Sequence, residues 1–188
     1  GDARGDGSPL RFPPRAGAKP DRVVSAPGPA GPTSGPAPAR PLVYLHAGHL
    51  AVFREPRAIS TVLGSCVAVC LWDAEAGVGG MNHYLLPHRA GAEETSPRFG
   101  NVAMGRLLDD LVRLGGRFAR LKAKVFGGAT VLGSPLPGTP SLGEQNAALA
   151  RSLLRAAGIP VVAEDTGGGR GRRLIFQTDD GAAFVKRL

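Results

Sequence analysis

Val67-Ala68-Val69-Cys70-Leu71-Trp72 is an unbroken apolar run, entered through Gly64-Ser65-Cys66 and left through a polar turn at residues 73–77. A strand with one face in water alternates apolar and polar side chains. A continuous run of this length predicts a strand covered on both faces. Residues 78–86 return after the turn and stop at Pro87, so they read as its antiparallel partner.

The rest of the chain supplies further strands and two helices. Residues 43–46, 49–54 and 59–63 read as short strands, and residues 87–98 as a polar loop. Val102, Leu107, Leu108, Leu111, Val112 and Leu114 fall near helical spacing and end at Gly115-Gly116. Residues 121–126 form a strand closed by Gly127-Gly128, and residues 129–141 a loop. Ser141-x-x-Glu144 is a capping box for a helix running to Ala157, with Gly158 and Pro160 as its stop. Strands follow at 161–163, 174–178 and 182–185. The last two form a hairpin across Asp179-Asp180-Gly181. The expected class is α/β: one compact domain over residues 41–188, with about eight strands in mixed β-sheets packed against two long helices.

Residues 1–40 differ in composition. Ten of the 17 prolines lie in the first 41 residues, and Ala26-Pro27-Gly28-Pro29-Ala30-Gly31-Pro32 has no large apolar side chain. Such a segment cannot offset its ordering entropy and is expected to be a disordered Pro/Gly/Ala-rich tail. It carries a charge of +3 out of the total of +8. The positive charge lacks the interleaved aromatics of a base-stacking platform, so no nucleic-acid partner is expected. Gly167-Gly168-Gly169-Arg170-Gly171-Arg172-Arg173 has no P-loop GK[ST] and reads as a glycine turn with exposed arginines. No run of about 18 apolar residues is present, so no membrane insertion is expected. The N-terminal stretch lacks the apolar core of a secretory signal, and the expected location is the cytoplasm.

Cys66 is the residue most suggestive of chemistry. It sits where a Gly-Ser turn feeds a buried strand. Gly64 permits close backbone approach, and the N–H groups around Ser65, Cys66 and Val67 are placed to form an oxyanion hole. A reactive thiol needs a base. His83 lies 17 residues on, in Met81-Asn82-His83-Tyr84-Leu85-Leu86-Pro87. If 67–72 and 78–86 pair, Cys66 and His83 fall near the same end of the sheet, with Asn82 beside them as a candidate substrate-binding residue. Ser60 and Thr61 both carry a hydroxyl able to orient the imidazole, and spacing does not choose between them. Cys70, on the same strand face about 13 Å away, reads as core. His46 and His49 lack a ligand set for zinc, and neither metal nor organic cofactor is expected.

These blocks together resemble the CheD family of chemoreceptor glutamine deamidases. The likeness covers residues 47–187. It rests on Leu63-Gly64-Ser65-Cys66-Val67, the histidine segment ending in Leu86-Pro87, Phe126-Gly127-Gly128-Ala129, Gly143-Glu144-x-Asn146, Ala163-Glu164-Asp165-Thr166-Gly167-Gly168 and Gly171-Arg172. The resemblance implies Cys66 as nucleophile and His83 as its partner. It also implies a threonine six positions before the cysteine, where this chain has Ser60 with Thr61 next to it. Gln145 stands where the family writes arginine. The implied activity is hydrolysis of glutamine side chains on the cytoplasmic domain of methyl-accepting chemotaxis receptors, and with it hydrolysis of methyl esters. The implied partner is CheC, a phosphatase of the response regulator CheY. The competing expectation is a non-catalytic CheC-binding adaptor.

Overall fold

The computed structural model describes residues 40–88, 91, 95–130 and 138–188. The tail up to residue 39, most of the 129–141 loop and part of the 87–98 loop lie outside the described residues. In chain order the strands and helices are β1 (Leu42–Tyr44), β2 (His49–Phe53), β3 (Ala58–Leu63), β4 (Val67–Asp73), β5 (Val78–Tyr84), α1 (Gly100–Arg113), β6 (Lys122–Gly127), α2 (Leu142–Ala156), β7 (Val161–Thr166), β8 (Arg172–Gln177) and β9 (Ala183–Arg187).

Nine strands among the described residues form two sheets. The first has the order β2-β5-β4-β6-β7 and the second β1-β3-β8-β9. Both are mixed: β6–β7 and β1–β3 are parallel and the other pairs antiparallel. The apolar hairpin lies at the centre of the first sheet, and every residue of β4 and β5 is buried. Alternation sends Val69, Leu71 and Val78 to one face, against Leu107 and Leu111 of α1 and Leu154 of α2. It sends Ala68, Cys70, Trp72 and Met81 to the other, against Ile59, Leu174 and Phe176 of the second sheet. The molecule is therefore a three-layer helix–sheet–sheet stack, and the expected α/β class and single domain hold.

Local chemistry accounts for the element ends. Ser141 accepts from the Glu144 N–H at 3.2 Å while the Glu144 carboxylate accepts from the Ser141 N–H at 2.6 Å, the reciprocal cap expected from sequence. β5 stops at Tyr84 rather than Leu86, because the Leu85 and Leu86 N–H groups turn away to bond Arg98 O. β7 runs to Thr166, three residues beyond its expected end, because its parallel pairing with β6 continues to Gly127. A short 3-10 turn at Phe118–Arg120 was not expected from the sequence. Arg172 corrects the exposed-arginine reading. It is 2% exposed, and its guanidinium donates to Gly127 O at 2.9 Å and also to Asp165 O and Gly167 O. One buried cation thus gathers the ends of β6 and β7. Among the described residues no helix is long and apolar enough to cross a membrane.

Candidate active site

The register of the central hairpin sets the site. Val67 pairs with Tyr84 and Ala68 with His83, so Cys66, one residue before β4, is the diagonal neighbour of His83. Cys66 shares its face with Ala68 and packs at the edge of the cluster between the sheets. Directly opposed side chains project to the same face, so His83, across from Ala68, also enters the space between the sheets. Cys66 is half-buried, whereas His83 is only 3% exposed.

The second sheet supplies the group that holds the ring. Thr61 Oγ1 donates to Leu45 O at 2.7 Å and lies 2.8 Å from His83 Nδ1. A hydroxyl has one hydrogen. With that hydrogen on Leu45, the Thr61 oxygen accepts from Nδ1–H, and the neutral imidazole carries its lone pair on Nε2. That atom is buried and has no hydrogen-bond partner among the described residues. This is the arrangement a general base requires: one nitrogen anchored, the other free.

Of the two hydroxyls, then, Thr61 meets the imidazole. Ser60 points to the opposite face of β3, where its buried hydroxyl has no partner among the described residues. Asn82 is corrected in the same way. Side chains alternate along a strand, so one residue before His83 it faces the helix layer, where its Oδ1 accepts from Val69 N–H at 3.0 Å. Asn82 does not line the thiol. Val67 likewise packs toward the helices, so only its backbone belongs to the turn. Gly64 and Ser65 lie in the turn as expected.

Two features of the turn were not given a role from sequence. Asn146, on α2, donates through Nδ2 to Ser65 O at 3.0 Å and to Leu85 O at 2.8 Å. Gly127 sits opposite Val67 with φ +108°, and a Cβ there would collide with the Cys66 carbonyl. A side chain at that position would push the thiol turn aside as well as strain the backbone.

Burial acts on both groups. It pushes the Cys66 thiol above its ordinary value of 9.0, against a smaller pull from the thiol's own backbone N–H. Burial also lowers His83 to about 4, opposed by the Leu45 carbonyl and assisted by repulsion from His49, its neighbour in the β2–β5 register. At neutral pH the pair rests as thiol and neutral imidazole, not as an ion pair.

A stability measurement follows from the His83 shift. The unfolded chain takes up the proton near 6.5 and the folded chain only near 4. Between these values the unfolded state binds more protons, so stability falls as the pH drops through this window. Below about 4 both states are charged and the loss levels off. The expected loss reaches about 3 kcal/mol. Urea unfolding at pH 7.5, 5.5 and 4 should show this slope in the wild type and a shallower one in His83→Gln. Equal slopes would contradict a buried neutral imidazole.

The family model and the sequence relatives agree with one another. A family model described as CheD chemotactic sensory transduction matches residues 85–187. A protein of Anaeromyxobacter dehalogenans, named probable chemoreceptor glutamine deamidase CheD 1, is 56% identical over 172 residues, covering 92% of this chain and 97% of the relative. A Trichlorobacter lovleyi protein named probable chemoreceptor glutamine deamidase CheD is 45% identical over 144 residues, covering 77% and 89%. A Rhizobium leguminosarum protein with the same name is 46% identical over 149 residues, covering 75% and 77%.

Proposed function

This chain belongs to the CheD family, and from that premise we propose that it deamidates glutamine side chains of a chemoreceptor's cytoplasmic domain, with Cys66 as nucleophile and His83 as general base. The family model begins two residues after His83, so the roles of the two residues are argued from geometry. The observation that supports the reading most is the pair of contacts at Thr61 Oγ1, 2.7 Å from Leu45 O and 2.8 Å from His83 Nδ1. Thr61 spends its hydrogen on Leu45 O and accepts from His83 Nδ1–H, which leaves Nε2 as a lone pair between the sheets.

The resting pair is neutral, so proton transfer accompanies attack and does not precede it. His83 Nε2 takes the proton of the Cys66 thiol as the sulfur bonds to the carboxamide carbon. The carbonyl electron pair moves to oxygen, and the Cys66 N–H donates to that oxyanion. The intermediate then collapses: the C–N bond breaks, and the protonated imidazole gives its proton to the departing ammonia. Water adds to the thioester as His83 takes one of its protons. The C–S bond breaks, the thiol is restored, and the product is glutamate. A glutamyl methyl ester would pass through the same thioester, with methanol leaving in place of ammonia. No step calls for a metal or an organic cofactor. The reaction belongs to the cytoplasm, where the receptor's signalling domain lies. It converts a neutral amide into a carboxylate on that domain, a charge change of the kind that shifts a two-state signalling element.

The test is incubation with the cytoplasmic domain of a receptor from the same organism, read by peptide mass spectrometry and ammonia release. The expected result is glutamine-to-glutamate conversion at a few sites, prevented when the protein is first treated with iodoacetamide. A folded protein that converts no glutamine while binding CheC tightly would overturn the deamidase reading in favour of an adaptor.

A further inference from the structure

The turn that carries Cys66 is held by three successive carbonyls. Gly64 O accepts from Ala129 N–H at 2.8 Å, Cys66 O from Gly128 N–H at 2.8 Å, and Ser65 O from Asn146 Nδ2 at 3.0 Å. The Gly64 and Cys66 bonds join backbone to backbone, and the Ser65 bond lies between them in the chain. The middle one is made by a side chain, and it holds the peptide whose N–H belongs to the nucleophile.

A peptide is planar, and in the trans form its C=O and N–H point in opposite directions. No cis peptide occurs among the described residues. Drawing the Ser65 carbonyl toward α2 therefore turns the Cys66 N–H away from α2, toward the side of the sulfur. The thiol feels that N–H, which opposes the effect of its burial. Among the described residues no backbone carbonyl accepts from it. An amide beside the attacking sulfur and not committed to the fold is placed to receive an oxyanion.

Asn146 is suited to hold this orientation. It is fully buried on α2, and its own carbonyl accepts from Tyr84 O–H at 2.5 Å. Its Nδ2 donates to Ser65 O and to Leu85 O. One carboxamide thus ties the nucleophile's turn to the end of the strand that carries His83. Serine or aspartate cannot supply an NH2 group to both carbonyls.

We propose that Asn146 is a positioning residue: by holding the Ser65 carbonyl, it aims the Cys66 N–H at the oxyanion formed during attack. The inference rests on the reading of Cys66 as the nucleophile. Asn146 touches no reacting atom and acts through the backbone of its neighbours.

The experiment compares two reactions of the same sulfur in wild type and Asn146→Ala. Hydrolysis of receptor glutamine builds negative charge on oxygen. Alkylation by iodoacetamide displaces iodide from carbon and builds none on a carbonyl oxygen. Removing one oxyanion donor typically costs 10²–10³ in kcat, so Asn146→Ala is expected to lose about 100-fold in kcat with KM within about threefold. Its rate of alkylation at Cys66 should stay within about threefold of wild type. Parallel losses in both reactions would mean general damage to the turn and would overturn the proposal. So would a variant as fast as wild type. Wild type that converts no glutamine in the same assay overturns the deamidase reading and takes this inference with it.

If Asn146→Ala does not fold, the wild type alone still decides. The chain has two cysteines, so selective 15N-cysteine labelling gives two amide signals. A peptide aldehyde shaped like the glutamine side chain would form a hemithioacetal at Cys66. The Cys66 amide proton is expected to move downfield while Cys70 stays in place. An unmoved Cys66 amide would overturn the proposal.

Discussion

Cys66→Ala is expected to lower glutamine hydrolysis by at least about 10⁴-fold, while Cys70→Ala keeps kcat and KM within about twofold of wild type. The two thiols are four residues apart on one face of the same hairpin, so sequence position alone separates them poorly. Their surroundings separate them well. Cys70 is completely buried among Trp72, Met81 and Phe176, and burial holds its thiol well above its usual value. It is a small apolar core group. Cys66 is half-exposed, sits in the Gly-Ser turn and has His83 as its diagonal neighbour. On the proposed mechanism, removing its sulfur leaves no atom to form the thioester, and the oxyanion donor alone supports only a residual rate. Cys70→Ala should instead appear as a loss of about 1 kcal/mol in urea unfolding, from the small cavity it leaves. The two variants thus fail in different assays. Turnover surviving in Cys66→Ala would remove the covalent mechanism.

The central hairpin was legible because its signal is local. Six apolar residues, a polar turn and a return strand specify an antiparallel pair, and the turn fixes the register that sets Ala68 opposite His83. The capping box at Ser141 was legible for the same reason, since both its hydrogen bonds span three residues. The choice between Ser60 and Thr61 was not local. It depends on which face of β3 turns toward a different sheet, and a shift of one residue inverts every side chain. Asn82 is a different case, because the information was in the sequence. If His83 faces the sulfur, strand alternation already sends Asn82 to the far side. The Asn146 bond to Ser65 spans 81 residues and the Arg172 bond to Gly127 spans 45. No spacing rule reaches across such separations. Both residues lie in blocks that carried the family resemblance, but resemblance gave neither a role, and contacts with backbone carbonyls do.

Thr61→Val is expected to lower kcat by about 10²–10³-fold, while Ser60→Ala leaves it within about twofold. Valine matches threonine in shape, so packing between the sheets is kept and only the hydroxyl is lost. Two groups then lose their hydroxyl partner: Leu45 O its donor, and His83 Nδ1–H its acceptor. Each is buried, and an unpaired buried polar group costs about 1–3 kcal/mol. The ring also loses the contact that fixes its tautomer. A neutral imidazole that moves its hydrogen to Nε2 presents a donor to the thiol where the proposed mechanism needs a base. Thr61→Ser restores both hydrogen bonds and should recover most of the rate, which a loss of packing alone would not allow. At Ser60 the buried hydroxyl has no partner among the described residues, so its removal should leave stability equal or slightly higher. The measurement is kcat and KM on the receptor fragment for all three variants, with urea unfolding alongside. If Ser60→Ala is the slow variant and Thr61→Val the fast one, the imidazole is held from the other face of β3 during turnover, and the tautomer that makes His83 a base must be fixed by a different group.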